Sequence, residues 1–318
     1  MSSNKSRVLI TMGDPSGVGP EVTIKALSDK KIQRLARITV IGDRFVINKV
    51  KNDLRLTADF PLIDLSNVPQ NKFSYGRESS SFGKASIEYV DAALDIIKKG
   101  GADCMVTAPV NKASVREGRV SDFEGHTEYL AQKTGSKDFS MMFVGKFLKV
   151  CLVTRHLALR DVADAISVDK VYKTLILTAE SLKKFFGIKS PRIGVAGLNP
   201  HAGDNGLFGD EENLKIKPAI KKAARSIKNI YGPIPADAIF YEALNGKFDA
   251  IISMYHDQAL APFKMLYFKD GVNLTLGLPF VRTSPDHGTA FNIAGKGVAD
   301  PVSMREAIRL AAVLSGKK

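Results

Sequence analysis

Residues 7–28 read Arg-Val-Leu-Ile-Thr-Met-Gly-Asp-Pro-Ser-Gly-Val-Gly-Pro-Glu-Val-Thr-Ile-Lys-Ala-Leu-Ser. The apolar run Val8 to Met12 has the length of one strand, Gly13 and Asp14 end it, and Pro20 opens a helical pattern that runs to Ser28. Outward from this stretch the same alternation repeats. Short runs rich in Val, Ile and Leu predict strands at 37–42, 104–108, 140–144, 149–154, 192–198, 250–255 and 272–278. Between them lie helical patterns at 83–99, 127–133, 169–186, 211–228 and 301–314. In the first of these, Ile87, Val90, Ala93, Leu94 and Ile97 recur at the spacing of one buried helix face. Strands this apolar, interleaved with helices, make an α/β protein whose sheet is largely covered.

Length and composition set the outer bounds. At 318 residues the chain is long enough for about two domains. A hydrophobic content of 44% with 25% charged residues excludes a disordered chain. No run approaches the roughly 18 apolar residues that span a bilayer, and Val8 to Met12 is too short for a signal peptide, so the cytoplasm is the expected compartment. Cys104 and Cys151 form no C-x-x-C motif. The net charge of +13 is spread along the chain, and its densest set, Lys215, Lys217, Lys221, Lys222, Arg225 and Lys228, lacks interleaved aromatics. That pattern describes a solvated helix face and a general preference for anions, with neither nucleic acid nor membrane as partner.

Three of the five histidines follow predicted strands directly: His156 after 149–154, His201 after 192–198 and His256 after 250–255. In open α/β sheets the carboxyl edge is where loops converge on a ligand. Three imidazoles there suit a divalent metal, and equally suit separate loop histidines held by backbone groups. His126 and Thr127 stand at a helix start behind Gly125, a place for a phosphate or for an ordinary N-cap. Lys264, Asn273 and Arg282 bring two cations and an amide after His256. Arg can grip an oxyanion through two parallel bonds. Two small-residue turns, Gly13 to Glu21 and Asp286 to Gly297, contain neither G-x-G-x-x-G nor a P-loop signature.

Read together, the segments GDPSGVGPE, TAPVNK, GHTE, TRHLALRDV, GLNPHAGDNG, GPIPADAIF, MYHDQALAPFK and GVNLTLGLPFVRTSPDHGTAFNIAG resemble the 4-hydroxythreonine-4-phosphate dehydrogenase family of pyridoxal phosphate biosynthesis, from about residue 8 to 315. The resemblance implies two α/β/α domains with a cleft between them, similar to isocitrate and isopropylmalate dehydrogenases. The domains would be 1–128 with 283–318 on the cofactor side, and 129–282 on the metal and dimer side. It implies a homodimer in which His156, His201 and His256 hold a divalent metal (Zn, Co, Mg, Mn or Ni) at a site shared between subunits. His126, Thr127, Lys264, Asn273 and Arg282 match substrate positions. Gly13, Asp14, His287, Gly288, Thr289, Ala290 and Asn292 match cofactor positions.

The implied reaction is NAD-dependent oxidation of a phosphorylated hydroxy acid, 4-phosphooxy-L-threonine, to a β-keto acid that loses CO2 to give 3-amino-2-oxopropyl phosphate. Asp257, Asp237 and Lys112 are the candidate general bases. Asn292 stands where related turns carry Asp, so no negative charge opposes a 2'-phosphate there and NADP is the alternative cofactor. The charged segment Arg116 to Glu124 does not match the family well. Similar enzymes act on D-threonate or D-erythronate 4-phosphate, giving dihydroxyacetone phosphate, or on cyclic dihydrodiols. A silent relative that binds nucleotide or RNA is the reading from another class, and the joint presence of His156, His201, His256, Lys264 and Arg282 opposes it.

Overall fold

A computed structural model describes residues 5–316. By internal contacts the chain divides into two units, Met1–Thr134 with Leu278–Lys318, and Gly135–Gly277. The strands, in chain order, are β1 (Arg7–Thr11), β2 (Arg37–Gly42), β3 (Leu62–Asp64), β4 (Cys104–Thr107), β5 (Ser140–Val144), β6 (Lys149–Leu152), β7 (Arg192–Ala196), β8 (Asn229–Ile234), β9 (Ala250–Ser253), β10 (Val272–Leu276) and β11 (Val281–Pro285).

In the first unit the order is β3-β2-β1-β4-β11, and every neighbouring pair is parallel. Parallel strands covered on both faces are apolar throughout, as in β4, where all of Cys104 to Thr107 are buried. Helix Ser80–Lys98 packs on β1 and β2, and helix Val302–Ser315 packs on β4 and β11. The direction of strand succession reverses at β1: β2 and β3 lie to one side of it, β4 and β11 to the other. The carboxyl ends of β1 and β4 therefore frame a topological switch point, the usual ligand position in such sheets.

The second unit has the order β10-β5-β6-β9-β7-β8. β5 pairs antiparallel with β10 and β6, whereas β6, β9, β7 and β8 run parallel. Met141, Phe143, Leu152, Ile239, Ile251, Phe263 and Tyr267 belong to its core cluster.

Several elements differ from the sequence expectation for identifiable reasons. The division of the chain falls after Thr134 and after Gly277, not at 128 and 282, because helix His126–Thr134 is one element and β11 pairs with β4. β8 contains Gly232-Pro233, which mutes its strand signal, and its place at the end of the strand order is where a proline is tolerated. The helical pattern 211–228 is in fact a π-helical turn, Glu212–Ile216, followed by a short α-helix, Lys217–Ala223. Pro218 has no N–H to give to residue 214, so the regular ladder cannot run through. Helix His256–Tyr267, masked in the sequence by Pro262, begins at a candidate ligand. Among the described residues no helix is long and apolar enough to cross a membrane.

Candidate active site

In the first unit, β11 is buried at all five positions although it reads Val-Arg-Thr-Ser-Pro. Arg282, beside Met105 of β4, is only 3% exposed. Its Nε donates to the Thr107 hydroxyl at 3.1 Å and an Nη lies 3.4 Å from the Thr127 hydroxyl. Burial pulls the guanidinium down to about 10, with the Glu128 carboxylate working the other way. It remains a cation at neutral pH.

His126 opens helix His126–Thr134 and meets Phe123 edge-on at 6.3 Å. Burial, then the charges of Arg282 and Lys112, push its pKa well below the usual imidazole value. Its buried Nε2 has no partner among the described residues. A neutral imidazole, a buried guanidinium and a helix N-terminus together form a receptor for an anion. Lys112, His126, Thr127 and Arg282 are thus brought together. Thr107, which anchors the guanidinium, was visible in the sequence only as part of the TAPVNK motif.

At the switch point, Gly13 has φ +77°, and a Cβ there would lie 2.4 Å from the Pro109 carbonyl oxygen. Asp14 is fully buried, its N–H donates to that carbonyl at 2.8 Å, and its Oδ1 accepts from Ser16 N–H at 2.9 Å. Burial pushes the Asp14 carboxyl up to about 6. Its Oδ2 has no partner among the described residues. Three segments meet here: Val18 N–H donates to Thr289 O, and Gly76 N–H donates to Ser16 O. Ala290 has the left-handed φ of 43° and precedes the single turn Phe291–Ile293, which contains Asn292. A Cβ on Gly288 would meet nothing within 4 Å, and His287 Nδ1 lies 3.0 Å from Gly288 O.

In the second unit, β6, β9 and β7 are adjacent and parallel, so the segments bearing His156, His256 and His201 leave the sheet at one edge. The rings of His156 and His256 lie 5.7 Å apart. His256 Nδ1 is 2.6 Å from Asp257 Oδ1. A carboxylate only accepts, so Nδ1 carries the proton and Nε2 is the nitrogen left to ligate. Metal–nitrogen bonds of about 2.0–2.1 Å put two imidazole centroids roughly 5–6 Å apart on a shared ion. The 5.7 Å between these two rings falls in that range. His201 is not gathered onto the pair: His201 packs against Phe208 at 6.1 Å, and among the described residues no group of three His, Cys, Asp or Glu side chains is clustered for a metal.

His201 itself begins a left-handed turn in which His201 to Asn205 all have positive φ. Such backbone costs roughly 1–2 kcal/mol at each non-glycine residue. Asn273 lies on β10 opposite Phe143, with a buried Oδ1 lacking a partner among the described residues. Lys264 lies farther along the helix that His256 opens, over the Phe268 ring at 5.6 Å. Asp237 is exposed in the first turn of helix Ala236–Leu244. Of the three candidate bases, Asp257 bonds His256 and Lys112 acts on His126 through its charge.

Comparison with known proteins adds to this geometry. The family described as pyridoxal phosphate biosynthetic protein PdxA matches residues 11–311. A protein of Desulfosudis oleivorans named 4-hydroxythreonine-4-phosphate dehydrogenase is 44% identical, covering 95% of this chain and 94% of its own. A protein of Oceanobacillus iheyensis bearing the provisional name D-threonate 4-phosphate dehydrogenase is 42% identical, covering 99% and 100%. The crystal structure of a 4-hydroxythreonine-4-phosphate dehydrogenase from Klebsiella pneumoniae superposes with a TM-score of 0.89 at 33% identity, covering both chains fully (100% each).

Proposed function

The chain belongs to the PdxA family of pyridoxal phosphate biosynthetic proteins, and from that premise we propose that it is a metal-dependent dehydrogenase of 4-phosphooxy-L-threonine, using NAD, with NADP as the alternative. The product is a β-keto acid that loses CO2 to give 3-amino-2-oxopropyl phosphate. The observation that carries the reading is the buried Arg282, held by Thr107 beside Thr127 and the neutral His126. A buried cation next to an unpartnered imidazole suits a phosphate dianion better than any neutral group.

Oxidation takes a hydride from the carbinol carbon and a proton from its oxygen. A divalent metal held by the histidines would supply Lewis acidity at that oxygen, and a bound nicotinamide would be the hydride acceptor. His156, His201 and His256 are the proposed metal ligands, and Asp257 orients His256 through its Nδ1–H. That engagement leaves Lys112 and Asp237 as the candidates for the proton. Lys264 and Asn273 complete the substrate groups of the second unit, and Asp14 with the turns around Thr289 and Asn292 receives the cofactor.

We also propose a homodimer acting in the cytoplasm, with the metal site shared between two copies. Leu159, Leu207, Tyr241, Met265 and Phe268 of the second unit are all exposed, apolar side chains that association with a second copy would cover. Both cysteines are buried and neither forms a disulfide among the described residues, as suits a reducing compartment.

The resemblance to the Oceanobacillus protein supports a second reading, oxidation of D-threonate 4-phosphate, or of the related D-erythronate 4-phosphate, to a β-keto acid that loses CO2 to give dihydroxyacetone phosphate. The two readings differ in the C2 substituent, amine against hydroxyl. The deciding experiment is formation of reduced nicotinamide by metal-loaded protein on the three substrates side by side. Preference for the amino acid is the expected result, preference for either sugar acid moves the chain to the second reading, and no reduction with any of them overturns both.

A further inference from the structure

The segment that leads into the left-handed turn carrying His201 is bonded by a buried carboxylate, Glu212, with Glu211 Oε2 also accepting from the Asn199 side-chain amide at 2.7 Å. Glu212 is 1% exposed, and its Oε1 accepts the backbone N–H groups of Leu198 at 2.7 Å and Asn199 at 2.8 Å. Its Oε2 accepts the side-chain amide of Asn199 at 2.9 Å. The same group fills the space beside two glycines: a Cβ on Gly203 would lie 2.6 Å from Oε2, and one on Gly197 would lie 3.1 Å from Oε1. One anion thus bonds the segment entering the turn and lies against its middle. Glu212 also opens the π-helical turn Glu212–Ile216, a local widening of the kind that recurs at functional sites. Beside it, Gln258 accepts from Met254 N–H and donates to Gly197 O, both at 2.7 Å, so the exits from β9 and β7 are tied to each other.

We infer that Glu212 is a positioning residue for His201: it holds the left-handed turn and so fixes where that imidazole is presented. All three groups that bond it are N–H donors, so an acceptor with two oxygens is required. In Glu212→Gln the new amide NH2 meets the Asn199 NH2, and one bond becomes a clash of donors. The inference rests on the reading of His201 as a metal ligand, and the test separates the two.

Metal-free protein is titrated with Co2+ and followed by visible absorption, and amide exchange at Leu198 and Asn199 is measured without metal. Glu212→Gln is expected to weaken Co2+ binding by about 10–100-fold, the usual effect of removing an outer-shell support. It should also alter the Co2+ bands and speed exchange at both amides. Wild-type affinity and bands in folded Glu212→Gln overturn the inference. Should that variant fail to fold, Asn199→Ala, which removes the side-chain amide bonded to Glu212 Oε2 and Glu211 Oε2 but keeps both backbone donors, decides on the same readouts: weakened binding supports the inference and wild-type binding overturns it. His201→Ala is the control. Wild-type affinity there removes His201 from the metal and the inference with it, whereas lost affinity there beside normal affinity in Glu212→Gln sinks only the positioning role.

Discussion

In the first unit the side chains proposed to bind the anion belong to regular structure: Arg282 lies within β11, and His126 and Thr127 are the first residues of a helix. In the second unit the three histidines follow the strands, His201 on a left-handed turn and His256 at a helix start. The desolvation of Arg282 is met when the chain folds, so its pocket is formed before a ligand arrives. The histidines are placed by shorter supports, Asp257 on His256 and Glu212 beneath His201. A preformed charge favours binding, whereas side chains set at strand exits are free of the sheet's constraint and suit a metal at the reacting atoms.

Two substitutions separate these roles. His256→Ala is expected to lower kcat by at least about a thousandfold, the several kcal/mol that Lewis acidity supplies. Its Michaelis constant for the phosphorylated substrate should change far less, and unfolding should stay within about 1 kcal/mol of wild type, since the residue lies outside the core. A variant that turns over normally would remove the metal role from the second unit. Arg282→Ala should do the reverse, raising KM for phosphorylated substrate by about a hundredfold, the loss of a buried charge-assisted pair. KM for NAD should hardly move. Steady-state kinetics with each substrate varied in turn checks both, and an equal rise in the two Michaelis constants would take Arg282 out of the phosphate pocket.

The same contrast explains what the sequence could and could not tell. β1, β4 and β9 are legible because strands buried on both faces must be apolar. β11 is not, because Arg282, Thr283 and Ser284 break the apolar pattern, and Arg282 breaks it at the proposed phosphate site. The histidines stood out by following readable strands. Glu212 did not: a buried acid is recognisable only from the N–H groups that surround it, and these come from residues 198 and 199, across the left-handed turn. The engagement of His256 with Asp257 likewise depends on a side-chain geometry that adjacency in sequence leaves open.

An effect on stability alone concerns a group that is preformed but costly. Burial pushes the Asp14 carboxyl from 3.8 up to about 6. Between these values the folded chain holds a proton that the unfolded chain releases, so this group's contribution to stability falls as pH rises through about 4 to 6. A shift of roughly two units corresponds to about 3 kcal/mol above pH 7. His126 works the other way. Its pKa is lowered on folding, so the unfolded chain takes up a proton near 6.5 that the folded chain refuses, and stability is lost as pH falls below that value. Asp14→Asn keeps an oxygen for the Ser16 N–H and removes the ionisation. Urea unfolding should therefore find Asp14→Asn more stable than wild type by up to about 3 kcal/mol at pH 8, and by roughly half as much at pH 5. The His126 dependence remains in the variant and favours the folded state as pH rises through 6.5. An advantage of equal size at both pH values would mean that packing, rather than the buried charge, sets the cost of Asp14.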